Sequence, residues 1–306
     1  MKHYDILVPG SYFCDVIFTD LPRFPSLGTE IYCGGLEVVP GGVLNTVIAL
    51  RRLGVYVGWI GTIGTDFFSR FVLEAAEREG VATDLLHRQD SPLRRLTVSL
   101  STPEERAFVT YIDPTPSRAE LALDALSVAT FERMHFTSLE WAAEVPLLLD
   151  ACRARRVQVS MDCQYREGVT LATEGVRPVL ERIDIFMPNL REARQLTGCT
   201  DLGEALAVLA EIVPLVVIKD GANGAYAQRG AETFHAPALT FEQVVDTTGA
   251  GDAFNAGFLA ALMAGEALQG ALAWGNFCGG MSTQAHGGSS AAPTRDQVLA
   301  WRSQTT

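Results

Sequence analysis

The segment Asp246–Phe254, which reads Asp-Thr-Thr-Gly-Ala-Gly-Asp-Ala-Phe, has the residue types and spacing to handle a phosphoryl group. A turn with two glycines leads directly into a predicted helix, so we expect the backbone amides of Gly249, Ala250 and Gly251 to be free at the helix N-terminus. Free amides and the positive end of the helix dipole form a cradle for an anion. Glycine suits this turn because the backbone must come close to the ligand.

Asp252 follows the turn and lies in the first turn of the predicted helix, beside the cradle. A carboxylate there can accept a proton from an attacking hydroxyl while the amides stabilise charge on the phosphoryl oxygens. This combination of positioning, charge stabilisation and a base is what phosphoryl transfer requires. The alternative is a glycine turn whose acidic residue only favours the helix dipole, but nine residues of this composition favour the catalytic interpretation.

The segment Asp246–Phe254 resembles the C-terminal signature of the ribokinase (PfkB-type carbohydrate kinase) family. Further stretches resemble other landmarks of that family, in the same order, over nearly the whole chain. They are Pro40-Gly41-Gly42 followed by Asn45, the glycine loop Gly61–Asp66, Asn189-Leu190-Arg191-Glu192, and the strand and turn Lys219–Gly224. Five matches in order are far more specific than any one of them.

The resemblance implies an ATP-dependent kinase that phosphorylates a hydroxyl of a small sugar, most simply a primary CH₂OH, with Asp252 as the catalytic base. It also implies Mg²⁺, and it makes K⁺ a candidate near Asp246 and residues 287–289. Ribose or another free sugar is the first candidate substrate, and a nucleoside that stacks on Phe13 is the second. A keto-deoxy sugar acid would need a cation in the pocket, for which the candidates are Arg94, Arg95 and Arg106. A catalytically silent sugar- or nucleotide-binding regulator on the same fold is a further alternative.

The resemblance assigns substrate binding to residues near the N-terminus, namely Asp15, Gly41, Gly42 and Asn45. A carboxylate such as Asp15 can bridge a vicinal diol, which suits sugar recognition. The alternative for Asp15 is a turn residue on the surface, and for the glycine pair a turn at a helix N-terminus. Asp162 and Arg166 resemble a D-x-N-x-R element of sugar kinases, and a loop salt bridge explains them nearly as well.

The resemblance assigns nucleotide binding to a second group of residues, namely Asn189, Lys219, Gly221, Gly224 and Asn276. Lys219 ends a buried apolar strand, where ligands bind in open α/β sheets, and its charge is expected to face the nucleotide phosphates. Glu192 is expected to hold Mg²⁺ through water. Asn189 and Glu192 also have the spacing of a helix capping box, and both interpretations can hold together.

The elements that must position these residues alternate between strand-like and helix-like segments. Predicted strands include Ile6–Val8, Val55–Ile60, Val157–Met161 and Leu215–Lys219. This alternation favours an α/β fold with a mostly parallel sheet and helices on both faces. With the resemblance, we expect a ribokinase-like three-layer α/β/α sandwich in a single domain, residues 1–306. Two segments, about 11–40 and 93–112, are predicted to form a small β lid, which in the family often mediates homodimers.

The composition of the 306 residues excludes several classes of protein. The formal net charge is −12 and no Lys/Arg cluster is present, which argues against nucleic acid and anionic membranes as partners. The six cysteines show no metal-binding spacing, and we interpret them as reduced cysteines of a cytoplasmic protein. No signal peptide is recognised. No G-x-G-x-x-G follows the first strand and no P-loop is present, which disfavours a dinucleotide-dependent oxidoreductase and a Walker-type ATPase.

Overall fold

The computed structural model describes residues 1–102, 105–115, 117–241 and 243–305. The strands are β1 (Lys2–Pro9), β2 (Tyr12–Thr19), β3 (Gly35–Gly42), β4 (Val57–Ile63), β5 (Leu86–Arg88), β6 (Arg95–Ser101), β7 (Arg106–Ile112), β8 (Ala129–Phe136), β9 (Gln158–Asp162), β10 (Ile185–Met187), β11 (Leu215–Lys219), β12 (Ala225–Arg229) and β13 (Glu232–Ala236). The helices are α1 (Val43–Arg52), α2 (Phe67–Arg78), α3 (Arg118–Val128), α4 (Val145–Ala154), α5 (Val176–Leu180), α6 (Leu190–Thr197), α7 (Leu202–Ala210), α8 (Ala250–Met263), α9 (Leu268–Ser282) and α10 (Arg295–Thr305).

The main sheet has nine strands in the order β13-β12-β11-β10-β9-β8-β1-β4-β5. The pairs from β5 through β11 are parallel, and only β12 and β13 pair antiparallel, at one edge. The inner parallel strands are buried on both faces, which explains why they read as continuous apolar runs rather than as alternating ones. The expected mostly parallel α/β sheet is confirmed.

Two hydrophobic cores lie on opposite faces of the main sheet. Ile6 and Val8 of β1 belong to one core, together with side chains of α1, α8 and α9. Leu7, which lies between them, belongs to the other core with side chains of α3 to α7. Successive residues of a strand point to opposite faces, so one strand supplies both cores. The result is the expected three-layer α/β/α arrangement, which confirms the predicted fold class.

A second sheet, called the small sheet below, consists of β3, β2, β6 and β7 in that order. Strand β2 pairs antiparallel with β3 and parallel with β6, and β6 pairs antiparallel with β7. Its strands fall in the two segments that the sequence assigned to a β lid. Residues 103 and 104, between β6 and β7, lie outside the described residues.

Several observed bounds differ from the predicted ones. The strand predicted at Val55–Ile60 is β4, which starts two residues later because the amide of Val55 closes the end of α1 by donating to Leu50. Helices α8 and α9 are rich in alanine and glycine, and they pack closely against each other. For example, a Cβ on Gly257 would come within 2.7 Å of Cys278 Sγ. None of the described helices is long and apolar enough to cross a membrane.

Candidate active site

A cleft of about 680 Å³ opens at the carboxyl ends of the parallel strands. Asp162 and Lys219, the last residues of β9 and β11, line it, and Thr137 and Asn189 follow β8 and β10 there. The opposite wall includes the loop that leads into α8. Ligands of open α/β sheets bind at this edge, because the strand ends and the helix N-termini converge on it.

The residues predicted to form the anion cradle lie at the start of α8. Gly249 has φ +71° and is the N-cap of the helix, and a Cβ on it would overlap Gly288, so only glycine fits without strain. The amide of Ala250 donates to the carbonyl of Thr247 at 3.2 Å, which corrects the expectation that three amides are free. Among the described residues, the amides of Gly249 and Gly251 have no hydrogen-bond acceptor, and both residues line the cleft.

The Asp252 carboxylate lies in the first turn of α8 and is held by two side chains of α1. Thr46 donates its hydroxyl to Oδ1 at 2.7 Å, and the Asn45 amide donates to Oδ2 at 3.3 Å. Burial and then the negative charge of Asp162 raise the pKa of Asp252 to about 6, against the lowering effects of Thr46, Lys219 and Asn45. A carboxylate with this pKa is ionised near neutral pH and basic enough to receive a proton.

A buried ion pair lies between the two strand ends at the cleft. Lys219 Nζ lies 2.9 Å from both carboxylate oxygens of Asp162, and it also donates to Asn255 Oδ1 at 3.2 Å. Asn255 in turn donates to Asp162 at 2.5 Å. The charge of Lys219 is therefore largely balanced by Asp162. Its ammonium still borders the cradle, because a Cβ on Gly251 would lie 3.4 Å from Nζ.

Asn189 and Glu192 form the capping box of α6. The backbone N–H of Asn189 donates to Glu192 Oε2 at 2.8 Å, and the backbone N–H of Glu192 donates to Asn189 Oδ1 at 2.9 Å. Both residues also line the cleft. Burial and then the charge of Asp162 raise the pKa of Glu192 to about 7, although Lys219 and Asn189 oppose the shift. A divalent cation bound beside this carboxylate would oppose the shift and favour the ionised form.

The substrate residues expected near the N-terminus form a second group beside the small sheet. Asp15 of β2 packs so closely on Gly41 that a Cβ on Gly41 would overlap its carboxylate. Gly42 has φ +63°, and a Cβ there would meet the carbonyl oxygen of Ser11 at 2.5 Å. Burial raises the pKa of Asp15 to about 6, with a further contribution from the charge of Asp246 and an opposing hydrogen bond from Thr97.

Asn45 joins the two groups. Its amide nitrogen contacts Asp252, while its buried Oδ1 atom has no hydrogen-bond partner in the described part of the chain. A Cβ on Gly288 would lie 2.5 Å from Asn45 Nδ2, so the loop at Gly288 closes over this side chain. A buried amide oxygen without a partner costs free energy unless a ligand hydroxyl or water satisfies it. Asp15, Gly41 and Gly42 do not line the large cleft, and Asp252 lies where the two groups meet.

The remaining nucleotide candidates lie at the far end of the cleft. Gly221 and Gly224 flank a 3₁₀ turn after β11, and a Cβ on Gly224 would overlap the carbonyl of Ala236. Asn276 of α9 donates to the carbonyls of Ala236 and Pro237 at 2.8 and 3.0 Å. Phe241 packs against α9 at Gly280, and it lines this part of the cleft.

Two further expectations concern charged residues at the rim. Asp246 accepts hydrogen bonds from Arg106 of β7 and from the amides of Thr248 and Gly287. Asp162 and Arg166 are not paired with each other. Arg166 instead lies 3.9 Å from Glu140 and 4.7 Å from the centre of the Trp141 ring.

Residues 5–295 match the sequence model described as "pfkB family carbohydrate kinase". The chain belongs to the PfkB family of carbohydrate kinases. The resemblance read from the five motifs is confirmed, and the protein is an ATP-dependent carbohydrate kinase.

The relatives of this PfkB-family kinase differ in the substrates that their names give. A fructokinase of Klebsiella pneumoniae is 30% identical over 285 residues, which are 87% of this chain and 92% of the relative. A 2-dehydro-3-deoxygluconokinase of Bacillus subtilis is 26% identical over 283 residues, 86% of each chain. The structure of Arabidopsis thaliana ribokinase complexed with ribose and ATP has a TM-score of 0.81 at 21% identity and covers 98% of both chains. These likenesses support the family and the fold without selecting one sugar.

Two residues that hold the site of this PfkB-family kinase were missed by the sequence reasoning. Thr46 follows the predicted Asn45 directly and binds Asp252. Asn255 comes three residues after Asp252, which on a helix places it on the same side, and it binds both Asp162 and Lys219. The helical spacing from Asp252 was the available signal for Asn255.

Proposed function

We propose that the protein transfers the γ-phosphoryl group of ATP to a primary hydroxyl of a small neutral sugar. The observation that carries this proposal is the position of the Asp252 carboxylate. It is ordered by Thr46 at 2.7 Å, it lies three residues after the N-cap Gly249, and it lines the large cleft while its other oxygen accepts from Asn45 of the second group. ATP would occupy the cleft and the sugar would lie beside Asp15 and Asn45.

In this proposal the transfer is direct and in line. The proton of the sugar hydroxyl passes to Asp252, the hydroxyl oxygen bonds to the γ-phosphorus, and the bond from that phosphorus to the bridging oxygen of ADP breaks. The free amides of Gly249 and Gly251 donate to the phosphoryl oxygens as their charge changes. Lys219 lies beside the same amides and adds positive potential, although Asp162 balances most of it.

Glu192 and Asn189 are the residues that we expect to hold Mg²⁺ through water. Burial, and then the charge of Asp162, raises the pKa of Glu192 despite the opposing charge of Lys219, and a divalent cation bound there would lower it again. Mg²⁺ in this position would offset the negative charge of the nucleotide phosphates. Asn276 and Phe241 lie where the base of ATP would reach the far end of the cleft.

A neutral sugar fits the observed charges better than a keto-deoxy sugar acid does. Arg94 pairs with Asp113 at 3.0 Å, Arg95 donates to Thr115 at 2.7 Å, and Arg106 pairs with Asp246. A sugar carboxylate would have to compete with these partners. The charge beside Asp15 is negative, which suits hydroxyl groups as ligands rather than a carboxylate.

The nucleoside alternative relied on Phe13 as a stacking surface. The Arg95 guanidinium lies 6.0 Å from the centre of the Phe13 ring, and a Cβ on Gly42 would come within 2.8 Å of that ring. The ring is therefore already flanked, which favours a sugar without a base.

The small sheet would act as a lid over the sugar and as the contact between two copies in a homodimer. Strand β7 is an edge strand, and its side chains are exposed on both faces. These exposed apolar side chains include Phe108, Val109, Tyr111 and Ile112. An edge strand with this much exposed apolar surface is typical of a surface that a partner covers, and a second copy supplies the same strand in symmetric form.

The test is ADP formation with Mg²⁺ over a panel that contains ribose, fructose, 2-dehydro-3-deoxygluconate, inosine and adenosine. Turnover on a neutral sugar, reduced about 10²- to 10⁴-fold in Asp252→Asn with ATP binding intact, is the expected result. Turnover on the sugar acid or on a nucleoside alone would replace the proposed substrate class. ATP binding without turnover on the whole panel would favour a regulator that binds sugar or nucleotide without catalysis.

A further inference from the structure

Asp246 lies at the start of the loop that leads into the anion cradle, and its carboxylate is 5% exposed. Oδ1 accepts from Arg106 and from the amide of Thr248, which lies 2.9 Å away. Oδ2 accepts from the amide of Gly287 at 3.1 Å. Both oxygens are therefore engaged by donors, and the only side-chain charge among these partners is that of Arg106.

Arg106 also binds the two residues between Asp246 and the cradle. One guanidinium nitrogen donates to the Thr248 hydroxyl at 3.1 Å, and the other donates to the Thr247 hydroxyl at 2.9 Å. Arg106 belongs to β7 of the small sheet, 140 positions before Asp246 in the chain. The guanidinium thus connects the small sheet to the full length of the loop before Gly249.

A monovalent cation, which the resemblance suggested at this place, does not fit the observed contacts. The segment after α9 directs an N–H group, that of Gly287, toward the Asp246 carboxylate, and a donor cannot coordinate a cation. The neighbouring carbonyls of Ser289, Ser290 and Ala292 are already bound by Arg52 Nη1 at 2.9, 3.2 and 3.0 Å. With Arg106 in place, a cation beside Asp246 would have to displace the guanidinium or share its oxygens with these donors.

We propose that Arg106 is a positioning residue that supplies the positive charge for Asp246, so that this kinase works without a monovalent cation. The inference rests on the proposed function, because the loop that Arg106 holds carries the cradle and Asp252. A buried carboxylate needs a compensating charge, or its field would oppose the binding of phosphate at the amides a few residues away. Because Arg106 belongs to β7, its charge lies beside Asp246 only when the small sheet packs against the loop.

The experiment compares ATP binding by calorimetry and sugar phosphorylation in K⁺ and in tetramethylammonium, a cation too large for a protein carbonyl site. The wild-type protein should show the same ATP affinity and the same kcat in both salts. Arg106→Ala should bind ATP about tenfold more weakly in tetramethylammonium. Millimolar guanidinium or K⁺ should restore part of the loss, because either ion can enter the space beside Asp246.

Arg23→Ala is the matched control, since Arg23 is an exposed arginine whose hydrogen bonds go to its near neighbours Phe24 and Ser26. It should behave like the wild-type protein in both salts. Strong activation of the wild-type protein by K⁺ would overturn the proposal, as would a defect of Arg106→Ala that neither cation relieves in a protein whose circular dichroism is unchanged. The calorimetric comparison needs no sugar, so a failure of the proposed sugar chemistry is distinguishable from a failure of this inference.

Discussion

The Thr46 hydroxyl donates to Asp252 Oδ1 at 2.7 Å and so joins α1 to α8, although the two residues are 206 positions apart in the chain. The bond orients the carboxylate and stabilises its ionised form, and thereby limits how far burial raises the pKa of the base. Asn45 adds a longer bond to the other oxygen. The N-terminal helix therefore tunes the proposed base, which lies in the C-terminal part of the chain.

Replacing Thr46 by valine should move the acidic limb of the activity profile to higher pH. In the proposed mechanism, Asp252 is the group whose protonation stops activity, and its pKa of about 6 should rise further when a hydrogen bond to its ionised form is removed. The measurement is kcat/KM against pH from 5 to 9. Thr130→Val, on the surface far from the site, should leave the profile in place. An acidic limb that stays where it was in Thr46→Val would show that Asp252 is not the titrating group.

Lys219→Met should destabilise the fold by about 3–5 kcal/mol, because it leaves the buried Asp162 carboxylate without its charged partner. The same change removes a charge that lowers the pKa of Glu192 and Asp252, so both carboxyl groups should become harder to ionise. Urea denaturation at pH 7 measures the first effect. Lys2→Met, which breaks the exposed pair with Asp84, should change the midpoint little. Equal effects of the two variants would contradict the importance of burial here.

Gly249→Ala should reduce both stability and turnover. At φ +71° a side chain costs about 1–2 kcal/mol, and in addition the new Cβ would overlap Gly288 and displace the cradle. Gly265→Ala is a matched control, because Gly265 also has positive φ, at +82°, but open space around the position of a Cβ. It should lose a little stability and keep its kcat. Thermal melts and ADP formation distinguish the two effects, and normal turnover in Gly249→Ala would remove this residue from the cradle.

Val109→Asp should convert a dimer into a monomer, because Val109 is 65% exposed on the edge strand β7 and a charge there opposes burial between two copies. Light scattering after gel filtration gives the mass. Val128→Asp places the same charge at a valine that is 56% exposed at the end of α3 and should leave the mass of the proposed dimer unchanged. A wild-type protein that is monomeric at all concentrations would refute the proposed contact.

The sequence predicted the main sheet well because buried parallel strands are short apolar runs that end at polar residues. The strand predicted at Leu215–Lys219 is β11 residue for residue, and the one predicted at Val157–Met161 is β9 shifted by one position. The short polar motifs were equally predictable, since a capping box such as that of Asn189 and Glu192 depends only on residues close together in the sequence.

The partners of the charged residues could not be predicted in the same way. Lys219 and Asp162 are 57 positions apart in the chain, and Arg106 and Asp246 are 140 positions apart. Each pair therefore forms only when the fold brings these distant segments together. The strands β2 and β3 were also difficult, because their segment is rich in glycine and proline and one partner of β2 is β6, far along the chain. Local periodicity carries no information about such pairings.

Strand β3 ends at Gly42 and α1 begins at Val43, with no connecting residue between them. The small sheet is therefore built into the helix that carries Asn45 and Thr46 rather than attached to it by a linker. Any rotation of the sheet must tilt the first turn of α1, and with it the hydrogen bonds to Asp252. A chimera that received the small sheet of a relative would also receive that relative's orientation of the carboxylate proposed as the base, together with its sugar contacts. Substrate choice and base strength should consequently transfer together in such grafts.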